Sequence, residues 1–197
     1  MHLSTVHRLL HTPLRPPVAE ATEKTFRDAM RQLAGGVCVV TVGAHEERTG
    51  LTATSVTSLC ADPPTLLVCV NRESSSYQAL TRFGVFAVNV LAADQREVAE
   101  RFGGGSALKG SQRYQGGRWL VLPTGVRCLA DAATVFECEV DERIERHTHA
   151  IVIGRVRHVL VGTGSGALVR WRGAYDQVGW SADEISRAIG LSPSEGK

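Results

Sequence analysis

Residues 37–58 have the sequence VCVVTVGAHEERTGLTATSVTS, and this stretch decides the class of fold. Its first six residues form an apolar, largely β-branched run, which predicts a strand buried on both faces. The polar residues 44–50 predict a turn, so the chain should return as an antiparallel neighbour. Residues 51–58 alternate apolar and hydroxyl side chains and predict that returning strand. The stretch therefore predicts a hairpin within an antiparallel sheet.

Strands and short helices follow one another irregularly along the rest of the chain. Further strands are predicted over residues 65–70, 86–91, 126–140, 150–161 and 168–175, with a solvated hairpin end over residues 141–149. Helices are predicted over residues 22–33, 77–82, 94–102 and 181–190, capped by Thr22, by the serines before residue 77, by Asp94 and by Ser181. Asp62-Pro63-Pro64 forces a corner, and the Gly-rich residues 103–117 form a mobile loop outside the core. Because no regular β-α-β alternation is present, the pattern predicts a mainly β (α+β) protein with a closed antiparallel barrel.

Length and composition exclude several classes of protein. A chain of 197 residues with 43% apolar residues can bury a core and is not disordered. The net charge of +2 argues against a nucleic-acid or membrane-surface partner. The five cysteines are odd in number and lack C-x-x-C spacing, which predicts buried, reduced thiols in a cytoplasmic protein. No Cys/His cluster has the spacing of metal ligands, so no metal is predicted, and residues 162–167 (GTGSGA) lack the helix and strand of a dinucleotide-binding unit.

Two segments carry the residue types of a ligand site. Residues 52–58 contain five hydroxyl side chains, which suits either a solvated edge strand or a slot that binds the edge of a flat heterocycle. Residues 71–76 (NRESSS) precede a helix, which suits either simple capping or an anion site made of hydroxyls, a guanidinium and free N–H groups. A flavin nucleotide, with its planar head and its phosphate, satisfies both ligand interpretations.

Six segments then occur in a particular order: TFRDAM at 25–30, GGVCVVT at 35–41, GLTATSVTS at 50–58, DPP at 62–64, FAVNVL at 86–91 and WRGAY at 171–175. This ordered set resembles the flavin reductase family, over about residues 25–176. The resemblance implies a split antiparallel β-barrel with Greek-key connections and short peripheral helices, in a homodimer. It divides the chain into an N-terminal arm (1–22), the reductase domain (23–176) and a C-terminal helix and tail (177–197).

The resemblance also implies an activity. Members reduce FMN or FAD with NADH or NADPH and pass the reduced flavin to a separate flavin-dependent monooxygenase. The departure in this chain is His147-Thr148-His149 where the family has Gly-Asp-His, so Thr148 replaces an acidic residue. That replacement leaves open a flavin-binding carrier or redox sensor without turnover, and a split-barrel oxidase acting on a small phosphorylated substrate is a third possibility.

By position, the resemblance implies the roles of individual residues. His149 would lie beside the nicotinamide as the catalytic residue, positioning its carboxamide. The isoalloxazine edge would be held by Thr52, Ala53, Thr54 and Ser55. The ribityl phosphate would lie along Asn71, Arg72, Ser74, Ser75 and Ser76. Arg172 and Tyr175 would complete the cofactor site, and the Gly-rich loop with Lys109 and Arg113 either covers the adenine or nicotinamide side or is a plain connector.

Overall fold

The computed structural model describes residues 18–162 and 166–179, and all elements below lie within these ranges. The helices are α1 (Glu23–Met30), α2 (Ser75–Phe83) and α3 (Arg96–Phe102). The strands are, in chain order, β1 (Gly35–Gly36), β2 (Cys38–Val42), β3 (Thr49–Ala53), β4 (Thr57–Ala61), β5 (Pro64–Asn71), β6 (Val85–Val90), β7 (Trp119–Val121), β8 (Arg127–Leu129), β9 (Thr134–Arg146), β10 (His149–Val161), β11 (Ala167–Trp171) and β12 (Ala174–Val178). Short 3₁₀ turns lie at His45–Glu47 and Gly110–Tyr114. Antiparallel strands with short helices confirm the predicted class.

A seven-stranded antiparallel sheet forms the body of the fold, in the order β3-β2-β6-β9-β10-β5-β4. Its edge strands, β3 and β4, are consecutive in the chain and are joined by residues 54–56 alone. Four Cα–Cα steps span at most about 14 Å, so the two edges must come together and the sheet closes into a barrel. The single strand predicted over residues 51–58 is therefore wrong, because the chain bends after Ala53 and changes from one edge of the sheet to the other.

Two further predicted strands are also divided. Residues 126–140 contain β8 and the start of β9, separated by the turn at residues 130–133. Residues 168–175 form the hairpin β11–β12, whose turn places Arg172 and Gly173 at positive φ. A glycine adopts that conformation without strain, which is why the chain reverses there. β11 also pairs with β1, so Gly35-Gly36 forms a short strand rather than only ending a helix.

The core has two parts. One lies inside the barrel and includes Val40, Val68, Phe86 and Val152, all fully buried. Gly154 on β10 permits this packing, since a Cβ there would overlap the Phe86 ring. The second part lies between the barrel and the segment that follows α3.

Tyr114 contradicts the prediction that residues 103–117 lie outside the core. Its ring is buried, with its centroid 5.1 Å from that of Phe102 and 4.7 Å from that of Trp119. Its hydroxyl donates to the carbonyl of Thr49 at 2.7 Å. The glycines in the segment predicted a loop, but one aromatic side chain ties that loop to the barrel.

The helix ends mostly follow the predicted caps. Thr22 caps α1, with its hydroxyl accepting from the Thr25 amide at 3.2 Å, and α1 ends at Met30. Ser74 caps α2, as its hydroxyl accepts from the Tyr77 amide at 3.1 Å. The predicted Asp94 cap of α3 is wrong, because Gln95 occupies that position. The predicted helix at 181–190 and residues 163–165 of the predicted glycine turn lie outside the described residues.

Other sequence predictions concern membranes, metals and thiols. Among the described residues, no helix is long and apolar enough to cross a bilayer, and no group of three or more His, Cys, Asp or Glu side chains is arranged to hold a metal ion. All five cysteines are free, as predicted. Cys38, Cys128 and Cys138 are buried, whereas Cys69 is half-buried and Cys60 is exposed, so the prediction of burial is wrong for Cys60.

Candidate functional site

A cleft of about 650 Å³ opens beside the end of β3. Thr52, Ala53 and Thr54 form one wall, which brings together three of the four residues predicted to hold a flat ring. The other lining residues come from α3, from the loop after it and from the β11–β12 hairpin: Glu100, Gly103, Gly104, Gly105, Ser106, Arg170 and Tyr175. We call this space the ring cleft. Its volume lies within the range of small-molecule sites.

The ring-cleft wall on β3 has free polar groups. β3 is an edge strand that pairs only with β2 among the described strands, so alternate N–H groups point away from the sheet. The Thr52 hydroxyl donates to the Ala99 carbonyl at 2.6 Å and retains its acceptor capacity. Ser55 lies beyond the strand, where its hydroxyl contacts the backbone of Cys69 on β5. Short side chains and outward N–H groups together allow a planar ligand to approach the backbone.

A second cleft, of about 630 Å³, lies at the start of the same strand. Thr49 and Ser75 form its floor, with their hydroxyl oxygens 3.3 Å apart. Four cationic side chains line it: Arg48, Arg82, Lys109 and Arg113. Glu46 and Glu47 pair with Arg48 and Arg82, so part of this charge is balanced. We call it the basic cleft, and its hydroxyls and cations suit an anionic group.

Arg113 lines the basic cleft and ties the segment after α3 to β3. Its guanidinium donates to the carbonyls of Gly50 at 2.7 Å, Leu108 at 3.0 Å and Phe102 at 3.1 Å. Burial lowers the pKa of this guanidinium, which nevertheless remains charged. Thr49 and Thr52 are three residues apart on β3, or about 10 Å along the strand. Because side chains alternate along a strand, Thr49 and Thr52 face opposite sides of the sheet, so a ligand that reached both clefts would have to run along the free edge of β3.

The segment before α2 uses much of its hydrogen-bonding capacity locally. Ser74 caps the helix and also donates from its hydroxyl to the Asn71 carbonyl at 2.7 Å. The Asn71 side chain accepts from the Glu73 amide at 2.9 Å. Ser76 is buried, at 2% exposure, and Ser75 faces the basic cleft. The capping interpretation is confirmed for Ser74, and Ser75 is the serine that lines a cleft.

His149 lies at the first position of β10, where its backbone pairs with Asn71 of β5. Its side chain is exposed, and its Nδ1 lies 2.9 Å from the hydroxyl of Thr148. Arg72 contacts the same hairpin end, where its guanidinium pairs with Glu145 and donates to the carbonyl of His147. The fold thus brings His149, Asn71 and Arg72 together.

The hairpin β11–β12 differs from expectation in one residue. Arg172 is exposed at the turn, with its guanidinium 4.4 Å from the Trp171 ring centroid, and it does not line the ring cleft. Arg170 does line it, 4.8 Å from the ring centroid of Tyr175. Alternation along a strand would place both arginines on one face, so only the turn after Trp171 separates them, and the sequence does not show where that strand ends.

Comparison with known proteins gives a consistent picture. The flavin reductase like domain family matches residues 30–179. The FMN reductase (NADH) RutF of Pseudomonas syringae pv. syringae is 37% identical over 158 residues, which are 80% of this chain and 88% of that protein.

Two solved structures are similar to the fold described here. BorF, the flavin reductase component of a bacterial two-component tryptophan halogenase, has a TM-score of 0.75 and 30% identity, covering 81% of this chain and 100% of that one. The NADH:FAD oxidoreductase SgcE6 of Streptomyces globisporus has a TM-score of 0.75 and 28% identity, covering 84% and 100%. These likenesses confirm the predicted split barrel.

Proposed function

Because this chain belongs to the flavin reductase like domain family, we propose that it is an NADH-dependent flavin reductase that supplies reduced flavin to a separate monooxygenase. The observation that carries the proposal is the pair of clefts on β3, one with small polar residues and one with hydroxyls and cations. Similarity to a protein named FMN reductase (NADH) favours FMN and NADH over FAD and NADPH. Similarity to a reductase component of a two-component halogenase supports a partner that consumes the reduced flavin.

The residues fit a flavin nucleotide. The isoalloxazine ring would lie in the ring cleft, held by Thr52, Ala53, Thr54 and Ser55, with Tyr175 also lining that cleft. The phosphate would lie between the start of α2 and the basic cleft. There it would meet the Ser75 hydroxyl, which lines that cleft. Asn71, Arg72, Ser74 and the backbone of the buried Ser76 are the other proposed contacts from this segment. Arg172 remains a proposed contact to the cofactors from the β11–β12 turn.

The bound nicotinamide and flavin supply hydride-transfer chemistry themselves, so the chain must bind and orient them. Stacking the two rings in a fixed geometry removes most of the entropic barrier to their encounter. Outward N–H groups of β3 would donate to the edge of a bound flavin ring and would stabilise negative charge there. His149 holds the nicotinamide carboxamide by a hydrogen bond from its exposed ring. No nucleophile or acid–base pair is needed from the protein.

A spectrophotometric assay tests the activity. Purified protein is mixed with NADH or NADPH and with FMN or FAD, and oxidation is followed by nicotinamide absorbance. Rapid oxidation that depends on added flavin is the expected result. Tight flavin binding without oxidation would contradict turnover and support the carrier or redox sensor. If flavin neither binds nor is reduced, while a small phosphorylated substrate is oxidised, the oxidase alternative is supported.

The homodimer is a proposal that the surface supports. A groove of about 350 Å³ is lined mainly by apolar residues, including Val56, Val156 and Val159. Every residue of β4, which borders it, is exposed, and Leu59 and Val159 are each about half exposed, at 53% and 52%. Contiguous apolar surface of this kind marks interaction sites. A second copy of the chain would cover the groove, and free thiols are consistent with the proposed cytoplasmic location.

A further inference from the structure

A chain of hydrogen bonds connects α2 to the hairpin end that carries His149. The Tyr77 hydroxyl donates to one carboxylate oxygen of Glu145 at 2.6 Å. The other oxygen pairs with Arg72, also at 2.6 Å. Arg72 then donates from its guanidinium to the His147 carbonyl at 3.1 Å and from its amide to the Thr148 carbonyl at 3.0 Å. We call Tyr77, Glu145 and Arg72 the tip network.

The tip network lies at the surface, so it does not serve mainly as a source of stability. The side chains of Arg72 and Glu145 are 41% and 48% exposed, and ion pairs with such exposure contribute little to the free energy of folding. The geometry is nevertheless specific, because Tyr77 orients Glu145, Glu145 pairs with Arg72, and Arg72 donates to two consecutive carbonyls of one tight turn. The Glu145 hydrogen bond also raises the pKa of Tyr77, as expected for a hydroxyl that donates to a carboxylate.

The turn needs such support. His147 has a positive φ of 51°, which is uncommon for a residue other than glycine. The next residue, Thr148, contacts the side chain proposed to bind nicotinamide, since its hydroxyl lies 2.9 Å from His149 Nδ1. Arg72 donates to both carbonyls that precede His149, from its guanidinium to His147 and from its amide to Thr148. Arg72 therefore holds the backbone that immediately precedes His149.

We propose that Arg72, Glu145 and Tyr77 are positioning residues for the nicotinamide, acting through His149 by fixing the hairpin end. This inference rests on the proposed function and adds residues that the family resemblance did not assign to this role. Arg72 thereby serves both sides of the site, since it also lies next to Asn71 at the proposed phosphate position. The side chains of Glu145 and Tyr77 reach the proposed phosphate position only through Arg72.

The variants Glu145→Gln and Tyr77→Phe test the proposal, with Glu139→Gln as the matched control. Glu139 also lies on β9 and pairs with Arg157, and both of those side chains are 44% exposed, close to the exposure of the tested pair. We expect Glu145→Gln to raise KM for NADH about threefold to fivefold, while KM for FMN changes less than about twofold. Tyr77→Phe should act in the same direction. The double variant should cost less than the sum of both changes, because the residues share one network.

Amide hydrogen exchange provides a readout independent of activity. In Glu145→Gln the amides of residues 147–149 should exchange about threefold faster or more, whereas Glu139→Gln leaves them unchanged. The proposal is overturned if Glu145→Gln matches Glu139→Gln in exchange and in KM for NADH, or if it raises KM for FMN instead. If the unmodified protein does not oxidise NADH, the proposed function fails by itself. The exchange experiment then still decides whether the network fixes the hairpin end.

Discussion

His149 is the residue on which the proposed binding of nicotinamide depends most directly. Its exposed ring makes one hydrogen bond, to Thr148, and the remaining ring nitrogen is available to a ligand. Loss of one hydrogen bond to the carboxamide costs about 1 kcal/mol, so His149→Ala should raise KM for NADH about fivefold without changing KM for FMN. Steady-state kinetics with each substrate varied in turn measures both constants.

The neighbouring His147 supplies a control for His149. His147→Asn keeps a residue that tolerates positive φ, so the turn is preserved while the imidazole is removed. This variant should bind NADH like the unmodified protein. The role given to His149 is wrong if His149→Ala leaves both the hydride-transfer rate and KM for NADH unchanged.

Glu137 is a charged residue buried completely within the fold, at 0% exposure. Its carboxylate accepts from the amide of Thr124 at 3.0 Å and from the hydroxyl of Thr124 at 2.6 Å, and it lies 2.5 Å from Nδ1 of His158. Both Thr124 donors contact one carboxylate oxygen and His158 contacts the other, so Glu137→Gln places a neutral amide N–H against His158 and removes the charge from every one of these hydrogen bonds. We therefore expect the variant to lose about 1–3 kcal/mol of unfolding free energy, measured by urea denaturation.

The control for Glu137 is again Glu139→Gln, two residues along β9. The Glu139 side chain is about half exposed, so Glu139→Gln should lower the free energy of unfolding by less than about 1 kcal/mol. Equal losses in the two variants would show that the Thr124 and His158 contacts do not hold the β7–β8 connection in place.

At the scale of elements, the start of α2 must serve as a helix terminus and as the proposed phosphate position. Two substitutions of Ser74 test these two roles separately. Ser74→Ala removes the cap and should cost about 1 kcal/mol of stability, whereas Ser74→Asp keeps an equally good capping oxygen. The added carboxylate would repel a nearby phosphate, so Ser74→Asp should weaken FMN binding about tenfold or more.

Thermal unfolding without ligand and titration of flavin fluorescence measure the two effects of Ser74 separately. Ser74→Ala is the matched control, since it loses stability without adding charge. If Ser74→Asp binds FMN as tightly as the unmodified protein, the phosphate does not lie at the start of α2.

The elements also show what the sequence could and could not predict. The buried strand at Cys38–Val42 and the cap of α2 follow from local rules, and both are present. The break between β3 and β4 does not, because residues 51–58 keep the alternation of a strand across a bend that only barrel closure requires. The burial of Tyr114 could not be predicted either. The glycines around it indicate a loop, and its ring partners, Phe102 and Trp119, are brought to it only by the tertiary fold.

In the candidate site, too, local sequence patterns predicted some residues and missed others. Short-range patterns indicated Thr52, Thr54 and Ser75, which do line clefts. Two cations of the basic cleft, Arg48 and Arg82, were missed, whereas Lys109 and Arg113 were considered only as part of the Gly-rich loop; the four come from segments far apart in the chain. A single sequence contains no signal that joins them, and only the closed barrel does.

At the scale of the whole molecule, the apolar groove bordered by β4 should determine the state of assembly. Val159 lines this groove and is 52% exposed in the isolated chain. In the proposed dimer, Val159→Asp would bury an unpaired carboxylate at a cost of about 3 kcal/mol or more, weakening association about a hundredfold. Sedimentation velocity should therefore show a dimer for the unmodified protein and a monomer for this variant at micromolar concentration.

Val121→Asp is the control, because Val121 is 61% exposed on β7 and lies outside the groove, so that variant should remain dimeric. A monomeric unmodified protein, or a Val159→Asp variant that still dimerises like Val121→Asp, would show that a second copy does not cover this groove.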